Sequence, residues 1–160
     1  MAEPPQFTHL DESGAARMVD VSQRPTTVRE ATASGRVDLE PATVAAIRDA
    51  TVPKGDVLAV ARIAGIAAAK RTPDLVPLCH PIALHAVAVD LEVDDAGVAI
   101  VATVRTADRT GVEMEALTAV VVAGLAVIDM IKSADPGATI TDVHVDAKSG
   151  GRSGEWHRSG

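Results

Sequence analysis

Val87-Ala88-Val89-Asp90-Leu91-Glu92-Val93, followed by Asp94-Asp95-Ala96-Gly97 and then Val98-Ala99-Ile100-Val101-Ala102-Thr103-Val104, is the stretch that decides the fold. Val87, Val89, Leu91 and Val93 alternate with Ala88, Asp90 and Glu92, which is the two-residue period of a strand. Asp94 to Gly97 supply the turn, and Val98, Ile100, Ala102 and Val104 carry the return strand. The period then changes. A long helix is expected from about Gly111 to Lys132, ended by Asp135-Pro136-Gly137. Beyond it, Ile140, Asp142 and His144 against Thr141, Val143 and Val145 give a final strand.

Upstream of the hairpin, Asp56 stands where an N-cap or first-turn acid belongs, ahead of the apolar run Val57 to Ala67. Lys70 and Arg71 fall in the expected last turn, and Pro73 is expected to stop that helix. Gly65 among alanines predicts close approach of another element. Pro41 suits the first turn of a shorter helix with Val44 and Ile47 inside. Ala16 to Val21 reads as a short strand and Thr27 to Thr32 as a second extended piece, broken at Ser34-Gly35. Helices segregated around an antiparallel sheet make an α+β fold. The order helix–strand–strand–helix–strand is compatible with a ferredoxin-like plait, its helices on one face of the sheet.

The 160 residues suit one domain. We expect a flexible N-terminus over residues 1–15, a single catalytic domain over 16–154 and a tail over 155–160. Phe7 and Trp156 are the only aromatics, and the formal net charge is -7. Neither suits nucleic acid, which is held by basic grooves and stacked rings. Cys79 is the only cysteine, so no internal disulfide forms, and a reducing cytoplasm is expected. The opening MAEPPQFTHLDESG has no basic then apolar signal pattern. The most apolar run, Ala116 to Ile128, is 13 residues, short of the roughly 20 of a membrane span.

The long helix carries Leu117, Val120, Val121, Val122, Leu125, Val127, Ile128 and Ile131 around its whole circumference. Such a helix is buried all round, and one sheet covers one side, so the other side is expected to meet a second subunit. Glu115 and Asp129 share a face but lie fourteen residues apart, roughly 21 Å along the axis. A site using both is expected to be shared across a two-fold axis. Glu113 and Glu115 also suit a helix N-terminus as ordinary dipole partners. Asp129, between Ile128 and Met130, is unfavourable there for both dipole and burial; Lys132 shares its face and can pair with it, as a structural ion pair or as chemistry.

Elsewhere, Lys54-Gly55-Asp56 places a lysine ahead of a helix N-terminus, a natural anion site, although a lone lysine there is more often superficial. In Leu75-Val76-Pro77-Leu78-Cys79-His80-Pro81, two prolines fix a turn that presents Cys79, read as core filler, and His80, held extended before proline. The five histidines show no paired ligand spacing, so no metal is expected. Lys148 to Gly154 reads either as a flexible tail or as a loop whose N–H groups and two cations cradle phosphate.

Together these segments resemble the MoaC family, the cyclic pyranopterin monophosphate synthases of molybdenum cofactor biosynthesis. The matching stretches run in order from Met18-Val19-Asp20-Val21-Ser22 through Lys54-Gly55-Asp56-Val57, Ala61 to Ile66, Ala69 to Thr72, Asp74 to Pro81, Thr110 to Thr118 and Asp129-Met130 to Ala147-Lys148-Ser149-Gly150-Gly151. The resemblance implies a homohexamer, a trimer of dimers of ferredoxin-like subunits with sites at the dimer interface. It implies as substrate the (8S)-3′,8-cyclo-7,8-dihydroguanosine 5′-triphosphate made by a radical-SAM cyclase, rearranged with loss of diphosphate. It implies Asp129 as general acid/base with Lys132 beside it and Lys54 and His80 in the catalytic set. Leu78, Cys79, His80, Glu113, Met114 and Glu115 would line the base pocket, and Lys54, Lys132, Lys148, Lys70 and Arg152 are the candidates to meet phosphates. No cofactor is required by this reading; Mg2+ with the triphosphate or diphosphate is left open. Two rivals remain: a non-catalytic nucleotide-binding regulatory oligomer, and a structural subunit whose acids are caps and ion pairs. If Lys54 and Asp129 reach one site from different subunits, mixed Lys54→Ala and Asp129→Ala variants recover activity.

Overall fold

The computed structural model describes residues 10, 11 and 13–159. Nine elements follow one another: β1 (Thr27–Asp38), α1 (Pro41–Arg48), α2 (Val57–Ala69), α3 (Thr72–Leu75), β2 (Ala86–Val93), β3 (Gly97–Asp108), α4 (Glu113–Ile131), β4 (Thr139–Ser149) and β5 (Trp156–His157). The strands form one antiparallel sheet in the order β2-β3-β1-β4-β5. The architecture is α+β, as expected.

Register builds the core. Ala31, Ala33, Gly35 and Val37 of β1 lie opposite Val104, Ala102, Ile100 and Val98 of β3. Those four in turn face Val87, Val89, Leu91 and Val93 of β2, so three strands share one apolar face. The other face carries Thr32, Ser34, Arg36, Arg105, Asp90 and Glu92. A slip of one residue would invert both faces, and burial therefore fixes the register. The hairpin turn is held by Asp94, whose Oδ1 accepts from the N–H of Ala96 and Gly97 while Arg36 grips its carboxylate.

Helix α4 is rich in β-branched valine, which has modest helix propensity, so packing rather than propensity maintains it. Ala116, Ala119, Val120, Ala123, Gly124, Val127 and Ile131 form its buried face at helical spacing. Its contacts are with α2 and with β1, β3 and β4. The seam is tight: a Cβ on Gly65 of α2 would stand 2.9 Å from the carbonyl oxygen of Ala119. Asp135 closes the far end, its buried carboxylate accepting the Glu40 N–H ahead of α1.

Several expectations are corrected. Residues 16–21 form no strand; Ala16 makes only an isolated bridge with Leu10, and the Val19 carbonyl accepts from His80 Nε2 instead of from a strand of the sheet. Ser34-Gly35 does not break β1. Gly35 is there because a Cβ would come within 2.7 Å of Val120 Cγ1, a need of α4 rather than of a turn. Helix α2 ends at Ala69 with Lys70 as C-cap, and Pro73 lies in the first turn of α3, where a missing N–H costs nothing. Asp56 caps α2 as read, accepting from the Ala59 N–H. Trp156 and His157 add a short strand to β4, within the stretch read as tail. Of the N-terminus read as flexible, residues 1–9 and 12 lie outside the described residues.

Within one chain α4 is not buried all round: Met114, Val121 and Leu125 are exposed along one side, as are Val60 and Ile63 of α2. Its 19 residues and mean hydropathy of 2.0 would suit a membrane span, yet half of that stretch is buried inside the protein, which is the setting of a core helix.

Candidate active site

Two clusters of charged side chains stand at opposite ends of α4. At its start, a cavity of about 320 Å3 is lined by Leu78, Cys79 and His80 on one wall and Glu113, Met114 and Glu115 on the other. Val19, Val21, Arg24, Thr110 and Gly111 complete it. All six residues assigned to the base pocket thus converge, although more than thirty positions separate the two triplets.

Local folding explains the convergence. Helix α3 ends in a turn in which the Cys79 N–H donates to the Val76 carbonyl. Pro77 and Pro81 stiffen the flanks. His80 Nε2 donates to the Val19 carbonyl at 2.6 Å, which ties the 16–24 segment over the cavity. The Glu113 carboxylate folds back over Gly111, so a Cβ there would make that carboxylate shift.

The two glutamates differ in surroundings. Glu113 Oε1 pairs with Lys148 Nζ at 2.8 Å. Glu115 is only 3% exposed, and burial, reinforced by the charge of Glu113, pushes its carboxyl up to about 7. Burial and then the Glu115 charge also push the Cys79 thiol up, so Cys79 is no ready nucleophile.

A second cavity of about 430 Å3 adjoins the first, sharing Arg24, Gly111 and Glu113 with it. Arg29, Glu30, Lys148, Ser149, Gly150 and Ser153 finish its walls. Gly150 and Gly151 both have positive φ, and a Cβ on Gly151 would run into the Arg29 guanidinium. Arg24, Arg29 and Lys148 therefore bring three cations to a polar hollow that also carries the carboxylates of Glu30 and Glu113. Of the stretch read as either tail or cradle, Lys148, Ser149, Gly150 and Ser153 line this hollow and Arg152 does not.

At the far end of α4, Lys132 Nζ meets Asp129 Oδ1 at 2.8 Å, and Lys54 Nζ donates to the Asp129 carbonyl oxygen at 2.6 Å while approaching Oδ2 at 3.7 Å. Lys132 first, then Lys54, hold the Asp129 carboxyl below its ordinary value. Two expectations fail here. Asp129 is not buried: its side chain is 62% exposed, as the helix turns this residue away from the sheet. Lys54 and Asp129 do not come from different subunits, because the loop before α2 places Lys54 beside the end of the antiparallel α4 in the same chain.

Lys70 is exposed at the end of α2 and Arg152 in the turn before β5; neither lines these two cavities. Arg24 and Arg29 do line them and were not read from the sequence, since neither arginine belongs to a recognisable local pattern. Among the described residues no three His, Cys, Asp or Glu side chains converge as a metal set.

The MoaC family model matches residues 18–151. The chain is 63% identical over 154 residues to the cyclic pyranopterin monophosphate synthase of Streptomyces avermitilis, covering 96% of this chain and 91% of that one. It is 60% identical over 158 residues to the protein of the same name from a Nocardioides species, covering 97% of each. It is 59% identical over 153 residues to cyclic pyranopterin monophosphate synthase 3 of Mycobacterium tuberculosis, covering 95% of this chain and 86% of that one.

Proposed function

We propose, from the premise that this chain belongs to the MoaC family, that it converts (8S)-3′,8-cyclo-7,8-dihydroguanosine 5′-triphosphate to cyclic pyranopterin monophosphate and diphosphate in molybdenum cofactor biosynthesis. The observation that carries the reading is the union of Leu78, Cys79, His80, Glu113, Met114 and Glu115 around one cavity that adjoins a polar hollow lined by Arg24, Arg29 and Lys148. The first accommodates a polar heterocycle, read by donors and acceptors on its edge. The second accommodates a triphosphate, whose diphosphate leaves more easily when fixed cations neutralise its growing charge. Mg2+ entering with the triphosphate would be held by phosphate oxygens.

The set Lys54, Asp129 and Lys132 stands nearly the whole length of α4 from these cavities. In our reading a second copy brings that end to the first copy's cavity, and the exposed side of α4 and α2 lies at the contact. Asp129, ionised between two ammonium groups, then serves as the base and the lysines as electrostatic partners. Three such dimers form the hexamer, each subunit a ferredoxin-like plait in which β2-β3-β1-β4 is the four-stranded unit. We place the enzyme in the cytoplasm, downstream of the radical-SAM cyclase that supplies its substrate.

Complementation tests this arrangement. Asp129→Asn and Lys148→Ala should each abolish product formation. Mixed in equal amounts with subunit exchange, they should regain about a quarter of wild-type sites, since half the dimers are mixed and each holds one intact site. No recovery, with exchange shown by mass spectrometry, refutes the shared site. Nucleotide binding without turnover in the wild-type protein refutes the enzymatic reading.

A further inference from the structure

Trp156, the only tryptophan of a chain without tyrosine, stands beside the polar hollow rather than in it. Strand β5 pairs with β4 in a register that sets Trp156 directly opposite Lys148. Lys148 in turn faces Ala31 of β1, which belongs to the buried face of the sheet. Directly opposed residues of an antiparallel pair send their side chains to one face, with Cβ atoms about 5 Å apart. The indole therefore lies on the α4 side of the sheet, next to the aliphatic stem of Lys148. A cavity of about 260 Å3 marks this neighbourhood, lined by Trp156, Lys148, Val145 and Glu113. Glu113 and Lys148 line the polar hollow as well, so their ion pair is common to both spaces. Every contact in this set lies within one chain.

Trp156 is 43% exposed, so more than half of its surface is covered although β5 has only two residues. So short a strand gains little from its ladder, and the indole is what seats it. Residues 150–155, which join β4 to β5, are thereby closed at both ends. A lysine stem is flexible and loses much rotamer freedom when its ammonium is held in one place. A rigid ring against that stem takes up part of this loss before a ligand arrives. We propose that Trp156 is a positioning residue for the triphosphate: packed beside Lys148, it holds the ammonium at the edge of the polar hollow, where the ligand's phosphates meet it. The inference rests on the reading of that hollow as the phosphate site and adds the residue that readies its lysine. Trp156 touches no reacting atom; it acts through Lys148.

GTP binding in calorimetry and turnover of the cyclised guanosine triphosphate test this in the wild type, W156F, W156A, K148A and the W156A/K148A double variant. W156A should bind GTP about tenfold more weakly, the loss expected when one charge-assisted contact slackens. Its KM should rise by a similar factor, with kcat within about threefold of wild type. W156F keeps a flat ring on the strand and should recover most of both. In the K148A background, removing Trp156 should cost little further affinity, because residues that act through one another are not additive. Tryptophan emission comes from Trp156 alone, and it should change as GTP saturates the wild-type protein. Urea unfolding shows whether each variant is folded; should W156A fail, W156L carries the same comparison. Losses that add in the double variant, an unchanged KM in W156A, or unchanged emission at saturating GTP overturns the proposal while K148A, still impaired, upholds the phosphate site. K148A that binds GTP as tightly as the wild type overturns the reading of the hollow itself.

Discussion

Replacing Glu115 by glutamine should stabilise the folded protein in alkali and change its stability little in acid. The folded carboxyl sits at about 7, against an ordinary value of 4.5 that it regains on unfolding. Between those values the native state holds a proton that the unfolded state has released, so stability falls as pH rises through this window and the loss is complete above it. At 1.36 kcal/mol per pH unit, charging Glu115 costs the native fold about 3 kcal/mol. Glutamine keeps the shape and carries no charge, so the advantage of E115Q should grow by that amount between pH 5 and pH 9. With a urea dependence of about 2 kcal/mol per molar, the two midpoints should separate by about 1.5 M across this range. Urea unfolding at one protomer concentration, at each pH, measures it. Midpoints that stay parallel from pH 5 to pH 9 would refute the reasoning, because they would mean that Glu115 ionises in the native state as it does in the unfolded chain.

Two further substitutions test the scaffold. Gly151→Ala should weaken binding of GTP in calorimetry by displacing the Arg29 guanidinium, and Gly150→Ala should do more damage, since its Cβ would run into the Val28 carbonyl oxygen, a backbone atom that cannot swing away. Ile100→Ala, at a position 1% exposed in the middle of β3, should cost about 2–5 kcal/mol in urea unfolding without moving the cavities at the start of α4.

Much of this architecture is legible in the sequence, and the reason is periodicity. Val87 to Val104 alternate because one face of β2 and β3 is dry, and the buried positions of α4 recur every three or four residues because one face meets the sheet. Where residues answer to distant partners, local reading fails. Gly35 looked like a break in β1 because nothing nearby reveals Val120 above it. The alternation of residues 16–21 reads as a strand because sequence alone does not show that the Val19 carbonyl is taken by His80. The six residues of the base pocket were found through a family resemblance and not through their spacing. Arg24 and Arg29 were missed for the same physical reason: an arginine declares its function only through what the fold sets opposite it.

Helix α4 also acts as a length standard. A helix counts in whole residues, so removing one between Glu115 and Asp129 would swing one end by about 100° relative to the other and shorten the span by ~1.5 Å. The turn at Asp94 to Gly97 could absorb an insertion by looping out, whereas α4 could not. Lineages descended from this protein should therefore vary the lengths of their turns freely while holding the interval of fourteen residues constant, even where the side chains along it change.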